Sequence, residues 1–240
     1  MLQGPSVATI GALIGNPARA NILASLLDGR ALTAGELAWA AGVSPQTTSA
    51  HLAQLTEARL LAREKQGRHR YFRLASAAVA EMLESIMVVA AADAPAAGPK
   101  WRGGEALREA RTCYDHLAGR LAVGLAEALV VRRRVVLCED GGQVTTAGAR
   151  FLEDFGIDLA SARNRRRAWC RPCLDWSERR PHLAGALGAA LADRCFELHW
   201  VRRLPDTRAV EVTDAGRRGI AEVFGFTFLW PASTGSLLVV

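Results

Sequence analysis

Between Gly42 and Leu74 the chain reads GVSPQTTSAHLAQLTEARLLAREKQGRHRYFRL, an order of residues that leaves little choice of local structure. Gly42 ends one helix, Val43 supplies an apolar plug, and Ser44 caps the next helix with Pro45 in its first turn, where a missing N–H costs nothing. Leu52, Leu55, Leu60 and Leu61 predict the inward face of that second helix, leaving Ser44, Gln46, Thr47, Thr48, Ser49, His51 and Gln54 outward. One helix earlier, Leu32 to Ala41 predicts a supporting helix with Thr33 as N-cap and Glu36 three residues on, an apolar stripe running through Leu37, Ala40 and Ala41. Leu60 to Leu74 then alternates as two strands about Gln66-Gly67, with Tyr71 and Phe72 anchoring the return.

Short polar side chains at a helix start suit the major groove of a duplex. Gln bonds adenine bidentately, Ser and Thr take donor or acceptor edges, and a Thr methyl packs on thymine. The adjoining hairpin carries Arg63, Lys65, Arg68, Arg70 and Arg73 against Glu64 alone, a ridge suited to phosphates. The expected partner is double-stranded DNA, read by the helix and gripped by the hairpin.

The segment from about Gly11 to Ala92 closely resembles the ArsR family of bacterial winged-helix repressors, most strongly over SPQTTSAHLAQL and GRHRYFRLA. The resemblance covers about a third of the chain. It implies a homodimer on a roughly palindromic operator, with recognition helices about 34 Å apart. By position it assigns base and phosphate contacts to the face from Ser44 to Gln54, and the wing tip to Arg68, His69 and Arg70. Flanking helices at about Ala8 to Leu27 and Ser76 to Ala91 would form the dimer. The chain departs from the family's metal sensors: Gly35-Glu36-Leu37-Ala38-Trp39-Ala40 has no thiol, no Cys precedes Cys113, and Ser76 to Ala91 lacks paired Asp and His. Metal sensing does not transfer through those positions.

A net charge of +6 and a pI near 9.5 agree with a polyanionic partner. Five Cys, an odd number unevenly spaced, do not make a secreted disulfide framework. With no signal peptide and no run of about 18 apolar residues, the expected location is cytoplasmic, away from membranes. A hydrolase elbow, a phosphate-binding Gly loop and a dinucleotide fingerprint are missing, and the chain is not read as an enzyme.

Ala91 to Gly104, AADAPAAGPKWRGG, has no periodicity and predicts a linker between a winged helix-turn-helix domain at 1–97 and a second domain at 98–240. The expected class is mainly α with small β. The second domain repeats itself over about 113–156 and 173–225. His116-Leu117-Ala118-Gly119 recurs as His182-Leu183-Ala184-Gly185, Val144-Thr145-Thr146-Ala147-Gly148 as Val212-Thr213-Asp214-Ala215-Gly216, and Phe155-Gly156 as Phe224-Gly225. Each unit predicts a helix, a β-hairpin near Arg134 to Val144 or His199 to Val212, and a helix capped by Thr145 or Thr213, the pair packing about a pseudo-twofold axis.

A Cys, an Asp and a His accompany each unit: Cys113, Asp115 and His116, then Cys173, Asp175 and His182. On a helix starting near Glu105, Cys113 and His116 would share one side. Cys113, His116, Cys170, Cys173 and His182 are candidate ligands for zinc, cadmium or lead, Cys170 and Cys173 forming a Cys-x-x-Cys pair. The alternatives are an organic effector, a thiol-redox switch, plain packing, or an architectural DNA binder without an effector. Cys138 and Cys195 are expected to pack internally. Arg163, Arg165, Arg166, Arg167, Arg171, Arg179 and Arg180, around Trp169 and Trp176, form a solvated face or grip an acidic ligand.

Overall fold

A computed structural model describes residues 6–67, 69–92, 104–138, 141–164, 168–205 and 207–227. The chain enters through α1 (Val7–Ile14), whose N-cap Ser6 accepts the Thr9 N–H, and α2 (Pro17–Ser25), capped by Asn16. The single helix expected from Ala8 to Leu27 is therefore two, because Gly15-Asn16-Pro17 stops one and starts the next. Strand β1 (Leu32–Thr33) leads into α3 (Ala34–Ala41), where Thr33 and Glu36 form a full capping box and Gly42 at φ +69° reverses the chain. Helix α4 (Pro45–Glu57) follows, then β2 (Leu61–Gln66) and β3 (His69–Leu74) in a sheet of order β1-β3-β2. Ile22, Leu23, Leu26, Leu27, Leu37, Leu52, Leu55, Phe72 and Leu74 make the first core. Leu60 and Leu61 are buried there as expected but lie beyond α4, because Arg59 at φ +58° has already turned the chain. This is a winged helix-turn-helix within an α+β chain.

After α5 (Ala77–Ala92) and α6 (Gly104–Glu109), one element series occurs twice. The first pass is hairpin β4 (Arg111–Cys113) and β5 (His116–Ala118), helix α7 (Arg120–Val131), hairpin β6 (Val135–Cys138) and β7 (Gly141–Val144), and helix α8 (Thr146–Asp154). After α9 (Leu159–Arg163) the second is β8 (Arg171–Leu174) and β9 (Pro181–Ala184), α10 (Gly185–Glu197), β10 (Val201–Arg203) and β11 (Val210–Val212), and α11 (Asp214–Gly219), which widens into a π turn over Ile220–Phe224. Each unit thus opens with a hairpin, and the first of these, Arg111–Ala118, is one that the sequence reading placed inside a helix from Glu105. The helices cross over: α7 packs on β9 and α10 on β5. One core joins Leu121, Leu125, Leu129, Leu187, Leu191, Phe155, Trp200 and Phe224, with Phe155 and Phe224 edge to face at 5.2 Å.

The repeated Thr-x-x-Gly has a steric reason. Thr145 and Thr213 cap α8 and α11 by accepting the N–H of Gly148 and Gly216 at 2.9 and 3.0 Å. Those glycines lie against the preceding chain, so a Cβ would stand 1.9 Å from the Arg134 carbonyl oxygen at Gly148 and 2.1 Å from that of Trp200 at Gly216. Gly148→Ala should therefore cost about 1–3 kcal/mol in urea unfolding despite alanine's better helix propensity. A stability gain would refute the contact.

Helix α5 ties the two cores. Glu84, buried on it, pairs with Arg208, and Glu81 with Arg171 at 2.6 Å. Burial pushes the Glu84 carboxyl up, but Arg208 and Arg111 pull it further down, so it stays ionised below the usual range. The Tyr114 N–H donates to the Leu27 carbonyl at 2.5 Å. A helix apolar around most of its circumference is thus held by its glutamates on one side, while Ile86 and Val89 remain exposed. Most of the expected linker, residues 93–103, lies outside the described residues.

Candidate functional site

Ser44, Gln46, Thr47 and Ser49 are exposed along the start of α4, with His51 half-buried and Gln54 exposed further on. Ser44 Oγ accepts the Thr47 N–H at 3.2 Å, and Ser49 Oγ donates to the Pro45 carbonyl at 2.9 Å. Thr48 departs from expectation. It is fully buried and its hydroxyl donates to the Ser44 carbonyl at 2.9 Å, which turns the methyl into the core and removes it from any base edge. Gln54 accepts from Arg19 Nη1 at 3.0 Å, while Arg19 also donates to the carbonyls of Leu13 and Ala12. That arginine, missed in the sequence, braces α4 from α2; its signal was a lone cation beside an N-cap.

On the wing Arg63, Lys65 and Arg70 are exposed, and Lys65 stands directly opposite Arg70. Like charges facing across a ladder repel, so an anion between them stabilises both. Arg73 is tied to Glu64 at 2.6 Å and offers less. Arg68 and the side chain of His69 lie outside the described residues.

In the second core, hairpin register does for Cys113 and His116 what the sequence reading assigned to a helix. Cys113 pairs with His116 across β4 and β5, and Cys173 with His182 across β8 and β9. The two hairpins meet so that one ligand atom from each of the four residues lies within 4.8 Å of the others. His116 Nε2 is 3.2 Å from His182 Nε2. Cys113, His116 and His182 are buried and Cys173 is half-buried. The Cys173 contact and burial push the Cys113 thiol up to about 12, and burial holds His182 below the usual imidazole range. Cys170 does not join them. It precedes β8 and packs against Gly142 of β7, burial pushing its thiol up to about 11.

The sequence also hid an ion pair. Arg111 and Asp175, both fully buried, join the two units at 2.9 Å, with the Arg111 guanidinium stacked on Trp176 at 4.5 Å. Asp175 also accepts the Gly119 N–H at 2.7 Å and both the N–H and Oγ–H of Ser177. Burial works against its charge, yet Arg111, His182 and these donors hold it well below the usual carboxylate range. Arg-x-Cys-x-Asp at 111–115 and again at 171–175 was the available signal.

Cys195 is buried in α10 as expected, but Cys138 at the end of β6 is exposed. The arginine cluster is largely engaged: Arg171 with Glu81, Arg180 with Glu127, Arg179 with the Ala91 carbonyl, and Arg163 over Trp169 at 5.0 Å. Residues 165–167 lie outside the described residues. A cleft of about 620 Å³ runs between α5 and the Cys-His hairpins, lined by Glu81, Glu84, Val88, Cys113, His116 and Cys173 among others.

A helix-turn-helix domain model, HTH_20, matches residues 14–64. The chain is 45% identical over 215 residues to the uncharacterized HTH-type transcriptional regulator YdfF of Bacillus subtilis (strain 168), spanning 90% of this chain and 95% of that one. Solved structures match between about a third and two fifths of the chain. The homodimeric winged helix-turn-helix DNA-binding domain Mb0332 of Mycobacterium bovis is 28% identical over 38% of this chain and 90% of its own, with a TM-score of 0.33. The cadmium metal-sensor CMTR of Mycobacterium tuberculosis is 30% identical over 39% of this chain and all of its own, with a TM-score of 0.31.

Proposed function

We propose, from the premise that this chain belongs to the HTH-type transcriptional regulators, that it is a cytoplasmic repressor of the ArsR kind which binds a palindromic operator as a homodimer and changes its affinity when an effector occupies the C-terminal domain. The observation that carries this is the exposed polar start of α4 beside three exposed wing cations, Arg63, Lys65 and Arg70. Gln46, Thr47 and Ser49 read base edges; the wing holds flanking phosphates. Apolar surface on two helices supports the dimer: Val7 on α1 is 83% exposed and Val89 on α5 is 73% exposed. The cleft between α5 and the hairpins supports the response, since an occupant would press on a helix of that same surface.

The test is binding to a sequence selected from random DNA, compared with unselected duplex. Gln46→Ala is expected to lose about 5 to 150-fold on the selected site, about 1–3 kcal/mol, and little on random DNA. Arg70→Ala should weaken both alike and lower the salt slope by about two per dimer. Equal losses on both DNAs for Gln46→Ala would refute base reading by α4.

A further inference from the structure

We infer that Cys113, His116, Cys173 and His182 form a four-ligand site for a divalent cation of the zinc class, assembled half from each repeat. Four observations carry it. The ligand atoms share a volume 4.8 Å across. Two imidazole nitrogens held by one zinc at about 2.0–2.1 Å in a tetrahedron stand about 3.3–3.4 Å apart, and His116 and His182 bring theirs to 3.2 Å. Each half-site is a register pair of one hairpin, so two rigid ladders rather than loops set the geometry. One outer nitrogen also meets a carboxylate, Asp115 at 3.3 Å from His116 Nδ1, the arrangement that orients metal-bound imidazoles, while His182 Nδ1 makes no hydrogen bond and lies 3.6 Å from Asp175.

Charge selects the ion. Two thiolates and two neutral imidazoles sum to −2, so a divalent cation leaves a neutral buried cluster, whereas either thiolate alone would be an unpaired charge in the core. Thiolate with imidazole favours zinc, with cadmium as a softer competitor, over magnesium or calcium. Four protein ligands fill a tetrahedron and leave no position for a water nucleophile, which makes this a structural or sensing site. Binding replaces the two thiol protons, which leave to solvent.

The site is placed to act on the winged helix. Tyr114, in the turn between Cys113 and His116, donates its N–H to the carbonyl of Leu27, in the turn just after α2, and Gly29 packs so closely that a Cβ would be 2.7 Å from the Tyr114 carbonyl oxygen. The cleft beside the ligands has α5 as its other wall. This regulatory step rests on the DNA-binding reading above; the ion site does not.

The full chain, reduced and stripped of metal, would be titrated with cobalt(II) and separately with zinc, with bound metal counted by atomic emission after dialysis. The expected result is one ion per chain, a tetrahedral cobalt spectrum with thiolate-to-metal charge transfer, and protection of two thiols from alkylation. Cys173→Ser, at the half-buried ligand, and His116→Gln should each weaken cobalt binding at least tenfold while Cys170→Ser retains it. Should the ligand variants fail to fold by circular dichroism, the wild-type spectrum decides alone. An octahedral spectrum, no retained ion, or a Cys113–Cys173 disulfide in its place would overturn the site. Zinc is further expected to change operator affinity at least fivefold; one bound ion with unchanged affinity would overturn the coupling. Failure of metal-free and loaded protein alike to bind selected DNA would count against the proposed function and leave the ion count standing.

Discussion

Raising salt from about 50 to about 200 mM is expected to cost the dimer about a thousandfold in operator affinity. Among the described residues each copy offers Arg63, Lys65 and Arg70 as exposed wing cations, so the proposed homodimer would neutralise about six phosphates through them. Each contact releases condensed counterions, with a slope of about 0.9 in log affinity against log salt, and six contacts give a slope of about 5. Arg73 adds little because Glu64 already holds it at 2.6 Å. Fluorescence anisotropy on a labelled operator across a salt series measures the slope directly. A slope near one would mean that the wing does not touch the backbone, and the hairpin's charge would need another purpose.

Asp175→Ala should be the most damaging single substitution of a polar residue, at about 3–5 kcal/mol, because it strands a guanidinium that has no route to water. Arg111 is fully buried, and the Gly119 N–H that opens α7 loses its acceptor at the same time. Total stability for a domain is about 5–15 kcal/mol, so the loss is enough to populate a chain whose second core is open. Glu64→Ala, which breaks the exposed pair with Arg73, should cost under about 1 kcal/mol and serves as the control. Urea unfolding followed by tryptophan fluorescence separates the cases, since Trp169, Trp176 and Trp200 all sit in the second half. A cost at Asp175 no larger than at Glu64 would show that the ion pair is not holding the repeats together.

The winged helix was legible because its signals are local. Thr33 with Glu36, Gly42, Ser44 and Pro45 are capping chemistry, and each forms the cap it predicts. The opening hairpins of the repeat were not legible. Arg111–Cys113 and His116–Ala118 are three residues each, too short for alternation to be told from helical spacing, and Tyr114 at φ +60° forms their turn without a glycine to announce it. The clustering of Cys113, His116, Cys173 and His182 is a tertiary fact, although both halves were visible as a recurring Cys, Asp and His. Cys170 and Thr48 failed for the same reason: neighbours in sequence to residues at a site, they face the other way, Cys170 toward Gly142 and Thr48 into the core.

Because α7 lies on β9 and α10 on β5, neither unit of the repeat can finish its own interior. While the ribosome is still adding the second unit, the first must wait with Leu121, Leu125 and Leu129 uncovered, since α10 and its neighbours supply the other wall. The winged head has no such delay: its buried residues come from one early stretch and can collapse at once. A nascent chain would thus carry a finished reading head on an unfinished body, and its vulnerable interval is set by the time needed to synthesise the partner helix.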